Sequence, residues 1–372
     1  MNARLVAVVV MGDVARSPRM VNHARELVAN GFEAVLIGYR GREFEAPAGV
    51  RVRALEGGKS APRGSSSVRF ALTAGWRMSR LFPALVRALL REKPGAILMQ
   101  NPPSFPTFTA VAVAARLLGS TVVVDWHNYG FSLLALRFGN SHWLVRLARW
   151  YEFSAGRRMA QHLCVSRAMQ EDLLQHGIRA EVLYDKPWLE TEAEERRSGG
   201  LIAVYPAGWT ADEDIELLLD ALELAPDAGV TVYITGEGAK EDSLRARLET
   251  LRAKGVLVDT GFLSEAEYRA LIRRADLGLS LHRSSSRLDL AMKVVDLFGG
   301  GLPVCALDYG GSIREQIEDG ATGFLFRSAQ ELAALFTRVG SKPEMLEAMR
   351  DTVRERWPAS WSEEWKRAVC LH

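Results

Sequence analysis

Short apolar runs that alternate with helical patterns are the feature that most constrains the fold of this 372-residue chain. The runs are rich in Val, Ile and Leu, as parallel strands covered by helices on both faces should be. They are Leu5–Met11, Ala34–Gly38, Ala96–Met99, Thr121–Val124, His162–Val165, Leu201–Val204, Thr231–Thr235, Val256–Asp259, Leu277–Leu281 and Pro303–Leu307. Two successive sets of this kind predict two doubly wound α/β domains, which bind ligands at the carboxyl ends of their strands.

A polar, acid-rich stretch from Thr191 to Gly200 divides the two sets and is typical of a linker. We therefore predict a first domain at residues 1–187, a linker at 188–200 and a second domain at 201–355. The remaining residues, 356–372, contain the capping-box pattern Ser360–Glu363 at the start of a helix. We expect this helix to cross back to the first domain.

The composition is that of a soluble globular protein, and no apolar run reaches the roughly 18 residues of a membrane-spanning helix. Three widely separated cysteines favour buried thiols over a disulfide or a metal site, and hence a reducing compartment. The net charge of +2 is unevenly spread, since Arg51 to Lys93 holds ten basic residues and two acidic ones. This segment predicts a surface for phosphates or an anionic membrane, or simply a solvated basic face.

One stretch of the second set combines a buried helix with charged residues. The strand Leu277–Leu281 is followed by a turn, Ser284–Asp289, and by a helix that should reach about Phe298. The N-terminus of that helix favours a phosphate, and Lys293 should lie one turn further in. Asp296 shares its face and can accept hydrogen bonds from ribose hydroxyls. The pattern indicates a nucleotide diphosphate site, with a surface Lys–Asp pair as the alternative.

Six stretches also resemble one known family, in the order in which that family has them. They are GDVARSPRM (Gly12–Met20), QNPPSFPT (Gln100–Thr107), VDWHNYGFSLL (Val124–Leu134), WTADEDIELLLDAL (Trp209–Leu222), ITGEG (Ile234–Gly238) and SSSRLDLAMKVVDLFGGGLPVCALD (Ser284–Asp308). The family is Alg1, the chitobiosyldiphosphodolichol β-1,4-mannosyltransferases of lipid-linked oligosaccharide assembly. The resemblance is weaker after Gly320.

The resemblance implies a GT-B glycosyltransferase, in which two Rossmann-like domains face a central cleft. It implies GDP-mannose as the donor on the second domain, a polyprenyl-diphosphate-linked sugar as the acceptor on the first, and inversion at the anomeric carbon. No cofactor or metal is expected, and nucleic acid is not an expected partner. The chain should work in the cytoplasm, peripherally on the cytoplasmic face of a membrane.

Three alternatives stay open or are weighed at this point. A GT-B transferase of bacterial polysaccharide or glycolipid assembly would use another nucleotide sugar. A non-catalytic subunit would bind a nucleotide sugar without turning it over. A nicotinamide-dependent enzyme is disfavoured, because the residues after the first strand, Gly12–Ser17, lack the pattern Gly-x-Gly-x-x-Gly.

The expected donor-binding residues follow strands of the second domain, where glycines admit close backbone approach and polar groups meet the nucleotide. They are Gly236, Gly238, Phe262, Leu263, His282, Arg283, Ser285, Asp289, Leu290, Lys293 and Asp296. Asp212, Glu213 and Asp214 resemble a metal-binding Asp-x-Asp motif, but acidic residues are favoured at a helix start in any case.

On the first domain, an inverting transfer needs a base for the acceptor hydroxyl. Asp13 follows the first strand and is one candidate, with capping of the next turn as the alternative reading. His127 ends another strand and is the competing base, because imidazole titrates near neutral pH. The expected acceptor-binding residues are Arg16, Arg19, Asn101 and Asn128, with the two arginines holding a diphosphate.

Two segments of the first domain mix basic and large apolar residues. Gly75–Lys93 reads as a basic amphipathic helix, and Trp143–Phe153 has a similar mix. Both predict a surface that rests on a membrane and gives access to a lipid-linked substrate. Core packing with an exposed basic side is the alternative.

Overall fold

The computed structural model describes residues 2–39, 44–55, 67–186, 200–209, 213–236, 241–256, 258–357 and 361–369. The chain forms two compact units. Unit 1 comprises Met1–Tyr184 together with Ser362–His372, and unit 2 comprises Asp185–Trp361. Most of the expected linker, residues 187–199, lies outside the described residues.

Unit 1 is built on a parallel sheet of seven strands in the order β3-β2-β1-β4-β5-β6-β7. The strands are β1 (Asn2–Asp13), β2 (Glu33–Tyr39), β3 (Val50–Ala54), β4 (Pro94–Asn101), β5 (Thr121–Trp126), β6 (Gln161–Cys164) and β7 (Glu181–Val182). Every side chain from Leu5 to Val10 is buried, because β1 lies near the middle of the sheet and is covered on both faces. The order of the strands reverses between β1 and β4, so their carboxyl ends form a topological switch point.

Helices connect these strands, and a short 3-10 turn, Val14–Arg16, follows β1. The helices are α1 (Pro18–Ala29), α2 (Ser67–Glu92), α3 (Thr107–Leu118), α4 (Gly130–Phe138), α5 (Trp143–Gly156) and α6 (Arg167–Gln175). The start of α1 follows the expected rule, since Pro18 occupies the first helical position, where its missing N–H costs nothing.

Unit 2 repeats the plan with six parallel strands in the order β10-β9-β8-β11-β12-β13. The strands are β8 (Leu201–Pro206), β9 (Val230–Thr235), β10 (Val258–Gly261), β11 (Leu277–Ser280), β12 (Val304–Leu307) and β13 (Gly323–Phe326). The helices are α7 (Ile215–Leu224), α8 (Glu241–Ala253), α9 (Glu265–Arg274), α10 (Met292–Gly299), α11 (Ile313–Gln316), α12 (Ala329–Ser341) and α13 (Met345–Arg356). The switch point of this sheet lies between β8 and β11.

Strand β11 places α10 at this switch point. Leu277 and Leu279 belong to the apolar core on one face of the sheet, while Leu297 of α10 belongs to the core on the other face. Gly278 brings the helix close, because a Cβ atom at this position would lie 2.7 Å from the Leu297 side chain. The helix is thus fixed against the strand by the shape of its buried side.

The last helix, α14 (Ser362–Ala368), belongs to unit 1. The Ser362 hydroxyl donates to the Glu26 carboxylate at 2.8 Å, and the indole N–H of Trp365 donates to His23 Nδ1 at 2.8 Å. Both acceptors lie on α1. Trp365 and His23 are both buried. The chain leaves unit 1 after Tyr184 and returns to it with α14, which completes the buried interior of that unit.

None of the helices within the described residues combines the length and apolarity that a membrane-spanning helix needs. Cys164 and Cys305 are both buried, as expected of structural thiols, while Cys370 lies outside the described residues.

Candidate active site

The switch point of unit 1 brings together three strand ends that the sequence singles out. Asp13 ends β1, Asn101 ends β4, and His127 directly follows β5. The backbone N–H of His127 donates to the Asn101 carbonyl at 2.8 Å, which holds the two strand ends together. Polar groups at this edge can therefore act on one ligand.

Asp125 is the centre of the charged network at this edge, and its side chain is fully buried. His127 Nε2 donates to Asp125 Oδ2 at 2.8 Å. Arg19 binds the same carboxylate through two N–H groups, at 2.8 Å and 2.9 Å. Burial alone would raise the pKa of Asp125, but Arg19 and His127 outweigh it and hold that pKa well below its usual range. The carboxylate is a fixed negative charge.

The ion pair corrects the expectation for Arg19. Its guanidinium is buried and also donates to the Leu183 carbonyl at 2.8 Å, so it is fully engaged inside unit 1 and does not face an acceptor diphosphate. Arg16 differs, because it is exposed in the turn after β1. Arg16 is thus the exposed one of the two arginines, and its acceptor role stays a prediction.

Asn101 also turns inward. Its side-chain N–H groups donate to Glu152 at 2.6 Å and to the Asn128 carbonyl at 3.1 Å, and no part of it meets solvent. Glu152 in turn accepts the first N–H groups of α4, from Gly130 at 2.9 Å and from Phe131 at 3.1 Å. Burial raises the pKa of Glu152 against the effect of these donors. Asn101 therefore supports the loop instead of contacting the acceptor through its side chain.

Asn128 and Asp13 both have local bonds that shape their loops. The Asn128 carbonyl oxygen of the side chain accepts from the Tyr129 N–H at 2.7 Å, at the start of α4. Asp13 Oδ1 accepts from the Ala15 N–H at 3.2 Å and so caps the turn after β1. Both side chains are half-buried and lie at the ligand-binding edge. The capping role considered for Asp13 is thus present in the structure.

At the switch point of unit 2, Lys293 forms an ion pair with Glu213. Glu213 is 3% exposed and also accepts the Gly208 N–H at 2.6 Å, while Lys293 is 30% exposed. The pair joins the loop after β8 to the start of α10. The helix begins at Met292, two residues later than the sequence suggests, so Lys293 lies in its first turn and not one turn further in. The reason is that the preceding loop has hydrogen bonds of its own.

Asp289 organises that loop. Its carboxylate accepts from the hydroxyl groups of Ser284 and Ser286 and lies 3.4 Å from His282 Nε2. Its backbone carbonyl accepts from the Ser312 hydroxyl at 2.6 Å. These bonds compete with helical ones, which explains why the helix starts late. Asp289 therefore shapes the site. Beside it His282, Ser285 and Ser286 are partly exposed, whereas Ser284 is buried.

Arg283, Ser285 and Leu290 lie on the same loop in different settings. Arg283 is exposed and forms an ion pair with Asp214, the N-cap of α7. Ser285 is half-buried, whereas Leu290 is buried. This corrects the expectation for Leu290, whose side chain packs inside unit 2 and cannot lie against a donor.

Asp296 lies three residues after Lys293 on α10, and its side chain meets solvent. The protein that surrounds it nevertheless raises its pKa to about 6, and Asp185 adds a like charge, while Lys293 acts in the opposite direction. Near neutral pH the carboxylate is largely ionised and can accept hydroxyl groups.

The loop after β9 depends on Gly236. Its φ angle is +94°, and a Cβ atom there would lie 2.1 Å from the Ala207 carbonyl oxygen. Its own carbonyl accepts the indole N–H of Trp209 at 3.1 Å. Phe262 is exposed and Leu263 half-buried after β10. Gly238, the remaining residue of the donor set, lies outside the described residues.

The sequence reasoning missed two acidic residues that anchor the basic groups. Asp125 is an acid at the end of the apolar run TVVVD, and Glu213 sits in the acidic pattern considered for metal binding. A single carboxylate at the end of a buried strand is the signal for the first. The second gave no comparable signal, because its partner, Lys293, is distant in the chain.

Two family descriptions cover most of the chain. The glycosyl transferase 4-like domain matches residues 17–184, and glycosyl transferases group 1 matches residues 202–341. Among solved structures, Alr3699/HepE of Anabaena, determined with UDP and glucose, has the same fold. It matches with a TM-score of 0.69 and 16% identity over 98% of both chains. Two parallel-sheet units of this kind define a GT-B glycosyltransferase.

Relatives that match over nearly the whole chain show which family of glycosyltransferases this is. The chitobiosyldiphosphodolichol beta-mannosyltransferase of Mus musculus is 33% identical, over 99% of this chain and 88% of its own length. The UDP-glycosyltransferase TURAN of Arabidopsis thaliana is 30% identical, over 96% of this chain and 95% of its own. The chain belongs to the chitobiosyldiphosphodolichol beta-mannosyltransferase family.

Proposed function

We propose that the protein transfers mannose from GDP-mannose to a polyprenyl-diphosphate-linked oligosaccharide and forms a β-1,4 linkage with inversion. The observation that carries this proposal is the similarity to the mouse mannosyltransferase over nearly the whole of both chains. The charged groups at the two switch points agree with the chemistry, since each sheet offers a polar edge where such folds bind substrates.

In the proposed reaction His127 is the base. Its Nε2–H donates to Asp125, so the remaining ring nitrogen, Nδ1, is the atom that takes the proton of the acceptor hydroxyl. The fixed charge of Asp125 stabilises the imidazolium that forms, and the hydroxyl oxygen attacks the anomeric carbon as the diphosphate leaves. Asp13 remains the competing base and is less suited, because its carboxylate already caps a turn.

In this proposal, groups of unit 2 bind the negative charge of the leaving diphosphate. The N–H groups at the start of α10 and the ammonium of Lys293 stabilise it, and Asp296 accepts the ribose hydroxyls. Helix dipole and lysine together supply positive charge, and so we propose that neither a metal nor another cofactor takes part.

The donor and acceptor are tested together. The purified protein is incubated with GDP-mannose and, in parallel, with UDP sugars, on short-chain lipid diphosphates that bear chitobiose, and NMR identifies the product linkage. A β-1,4-mannosyl product is expected. Turnover of a UDP sugar in place of GDP-mannose would overturn the donor assignment, and absence of turnover with every donor would indicate a non-catalytic binding subunit.

One comparison supports a second candidate donor. The Arabidopsis relative is named as a UDP-glycosyltransferase and covers almost the same length of chain. A GT-B transferase that uses another nucleotide sugar, as in bacterial polysaccharide or glycolipid assembly, is therefore the alternative that the UDP-sugar arm of the same screen decides.

The base is tested by His127→Gln and Asp13→Asn. We expect His127→Gln to lower kcat by at least about 100-fold with unchanged donor affinity, the usual size of a general-base effect. Asp13→Asn keeps a carbonyl oxygen for the Ala15 N–H and should lower kcat much less. The reverse ranking would make Asp13 the base.

We further propose that unit 1 rests on the cytoplasmic face of a membrane through α4 and α5. Trp143 and Trp150 are each 65% exposed, and Leu136 is 68% exposed. Arg146 and Arg149, both exposed, lie on α5 among them. Large apolar side chains at the surface, together with basic ones, favour an anionic bilayer surface.

The other segment predicted to meet a membrane, Gly75–Lys93, packs partly into the core of unit 1. Leu85 and Leu89 of α2 are buried and pack in unit 1, so the apolar side of this part of the helix is core. Arg80, Arg87 and Arg91 are exposed. The side chains of residues 67–79 lie outside the described part of the chain.

Vesicle flotation tests the membrane proposal. The double variant Trp143→Ser and Trp150→Ser should lose most binding to anionic vesicles, whereas Leu224→Ser, an exposed leucine of unit 2, should keep it. Equal recovery of all variants would contradict the assignment of this face. Equal recovery of the parent on neutral and anionic vesicles would remove its electrostatic part.

A further inference from the structure

A continuous line of hydrogen bonds joins the last helix of the chain to His127. The indole N–H of Trp365 donates to His23 Nδ1 at 2.8 Å. His23 Nε2 lies 3.0 Å from Asp125 Oδ2, and His127 Nε2 lies 2.8 Å from the same oxygen. Trp365, His23 and Asp125 are buried, while His127 is partly exposed at the ligand-binding edge.

The bond from Trp365 fixes the protonation state of His23. An indole nitrogen can only donate, so His23 Nδ1 must be the acceptor and carries no proton. The ring then has its proton on Nε2 and donates it to Asp125. Burial lowers the pKa of His23, with Asp125 opposing that effect, which also favours the neutral ring. His23 is therefore held in the tautomer that donates from Nε2 to Asp125.

Within the part of the chain that the structure describes, three charged or titratable side chains bind Asp125. Arg19 and His23 reach it from α1, and His127 reaches it from the loop after β5. Asp125 Oδ1 accepts from Arg19, and Oδ2 accepts from Arg19 and from both histidines. A carboxylate held on both oxygens cannot rotate without breaking several hydrogen bonds. Arg19 and His23 therefore set the orientation of the His127 ring through Asp125.

We propose that Trp365 and His23 are positioning residues for His127, so that docking of α14 on α1 keeps Asp125 in the orientation that the reaction needs. The proposal rests on the proposed role of His127 as the base. It assigns to the C-terminal helix a function in the chemistry beyond closing the fold, although Trp365 touches neither the base nor a substrate.

Removal of the Trp365 N–H should change the protonation of His23 and, through Asp125, that of His127. Trp365→Phe keeps a ring in the same space but leaves His23 Nδ1 without this donor, so His23 can accept a second proton. A protonated His23 repels an imidazolium at His127, and it neutralises part of the Asp125 charge that would otherwise stabilise that imidazolium. Both effects disfavour the imidazolium at His127. Because the unprotonated ring is the active form, the acid limb of the rate profile should move to lower pH.

The experiment compares three changes in the full-length protein. For Trp365→Phe we expect kcat to fall about fivefold, the equivalent of one ordinary hydrogen bond, with unchanged donor KM and an acid limb lowered by about half a pH unit. Ser362→Ala is the matched control, since it removes another hydrogen bond between α14 and α1 without touching His23. His23→Gln offers one donor and one acceptor and should stay closer to the parent than His23→Leu.

A second measurement is independent of turnover. NMR titration of histidine-labelled protein gives the tautomer and pKa of His127 directly, and we expect the Nε2–H tautomer in the parent and a lower pKa in Trp365→Phe. An unchanged His127 titration in a folded Trp365→Phe variant overturns the proposal, as does an equal shift in Ser362→Ala. If Trp365→Phe does not fold, equal effects of His23→Gln and His23→Leu overturn it instead.

The two proposals fail in different ways. If His127→Gln keeps near-normal turnover, His127 is not the base and the proposed mechanism fails. If His127→Gln is inactive while Trp365→Phe titrates and turns over as the parent does, the mechanism stands and the positioning role is wrong.

Discussion

The ion pair between Lys293 and Glu213 leads to the sharpest stability prediction. Glu213 is 3% exposed, and the Lys293→Met change would remove the ammonium that lies against its carboxylate. Methionine has nearly the same length and is unbranched, so little packing is lost. The principal effect is therefore electrostatic: a buried negative charge loses this cation.

The size of the effect follows from the burial of the two partners. Removing one partner of a fully buried ion pair costs about 3–5 kcal/mol. Lys293 is 30% exposed, so water can approach the vacated position and reduce the cost to about 2 kcal/mol. For a unit of the size of Asp185–Trp361 this corresponds to a Tm lower by about 4–8 °C.

Calorimetric unfolding of Lys293→Met, with and without Glu213→Gln, tests this reasoning. Glu213→Gln removes the buried charge, so it should recover most of the stability that Lys293→Met loses. Arg283→Met is the control on the same edge: its ion pair with Asp214 is exposed, so we expect a loss below about 1 kcal/mol. If Glu213→Gln adds to the loss in Lys293→Met instead of reducing it, the pair does not stabilise the fold in this way.

Three further predictions concern single positions. Gly236→Ala should cost more than about 2 kcal/mol, because its Cβ would lie 2.1 Å from the Ala207 oxygen, whereas Gly229→Ala, with φ +68° in open space, should cost about 1 kcal/mol; equal losses in urea unfolding would contradict the clash. Two arginines lower the pKa of Asp308 from 3.8 to about 2, so this group should contribute up to about 2 kcal/mol above pH 4 that is lost as the pH falls towards 2; an unchanged acid unfolding curve in Asp308→Asn would refute this. Glu152→Gln keeps an acceptor for the first N–H groups of α4 and should cost less than Glu152→Leu in thermal unfolding, and the reverse order would contradict the capping role.

Much of the fold follows from the sequence, because buried parallel strands are continuous apolar runs. All ten predicted runs coincide with strands. Three strands were missed for physical reasons. β3 (Val50–Ala54) alternates valine with arginine at the sheet edge, β7 (Glu181–Val182) is too short to show a pattern, and β13 (Gly323–Phe326) begins with glycine.

The site was less predictable than the fold, because a sequence does not show which charges neutralise each other. Arg19 reads as a ligand for a diphosphate at a helix start, yet its partner, Asp125, is 106 residues away. The start of α10 was placed too early because the serines before it bind Asp289 instead of continuing the helix. Resemblance to the family points to these segments, and the structure then separates the side chains that are buried in hydrogen-bond networks from those that are exposed.

The return of α14 makes unit 2 an insertion within unit 1, since residues 185–361 interrupt a unit whose last portion is Ser362–His372. A fragment that stops at Tyr184 would expose His23 and lack the indole that covers it. Exchange of nucleotide-sugar specificity by grafting therefore requires both junctions, near 185 and 361, to be cut at once. A fusion made at one junction alone would lack the matching α14, and the interior of unit 1 would be incomplete.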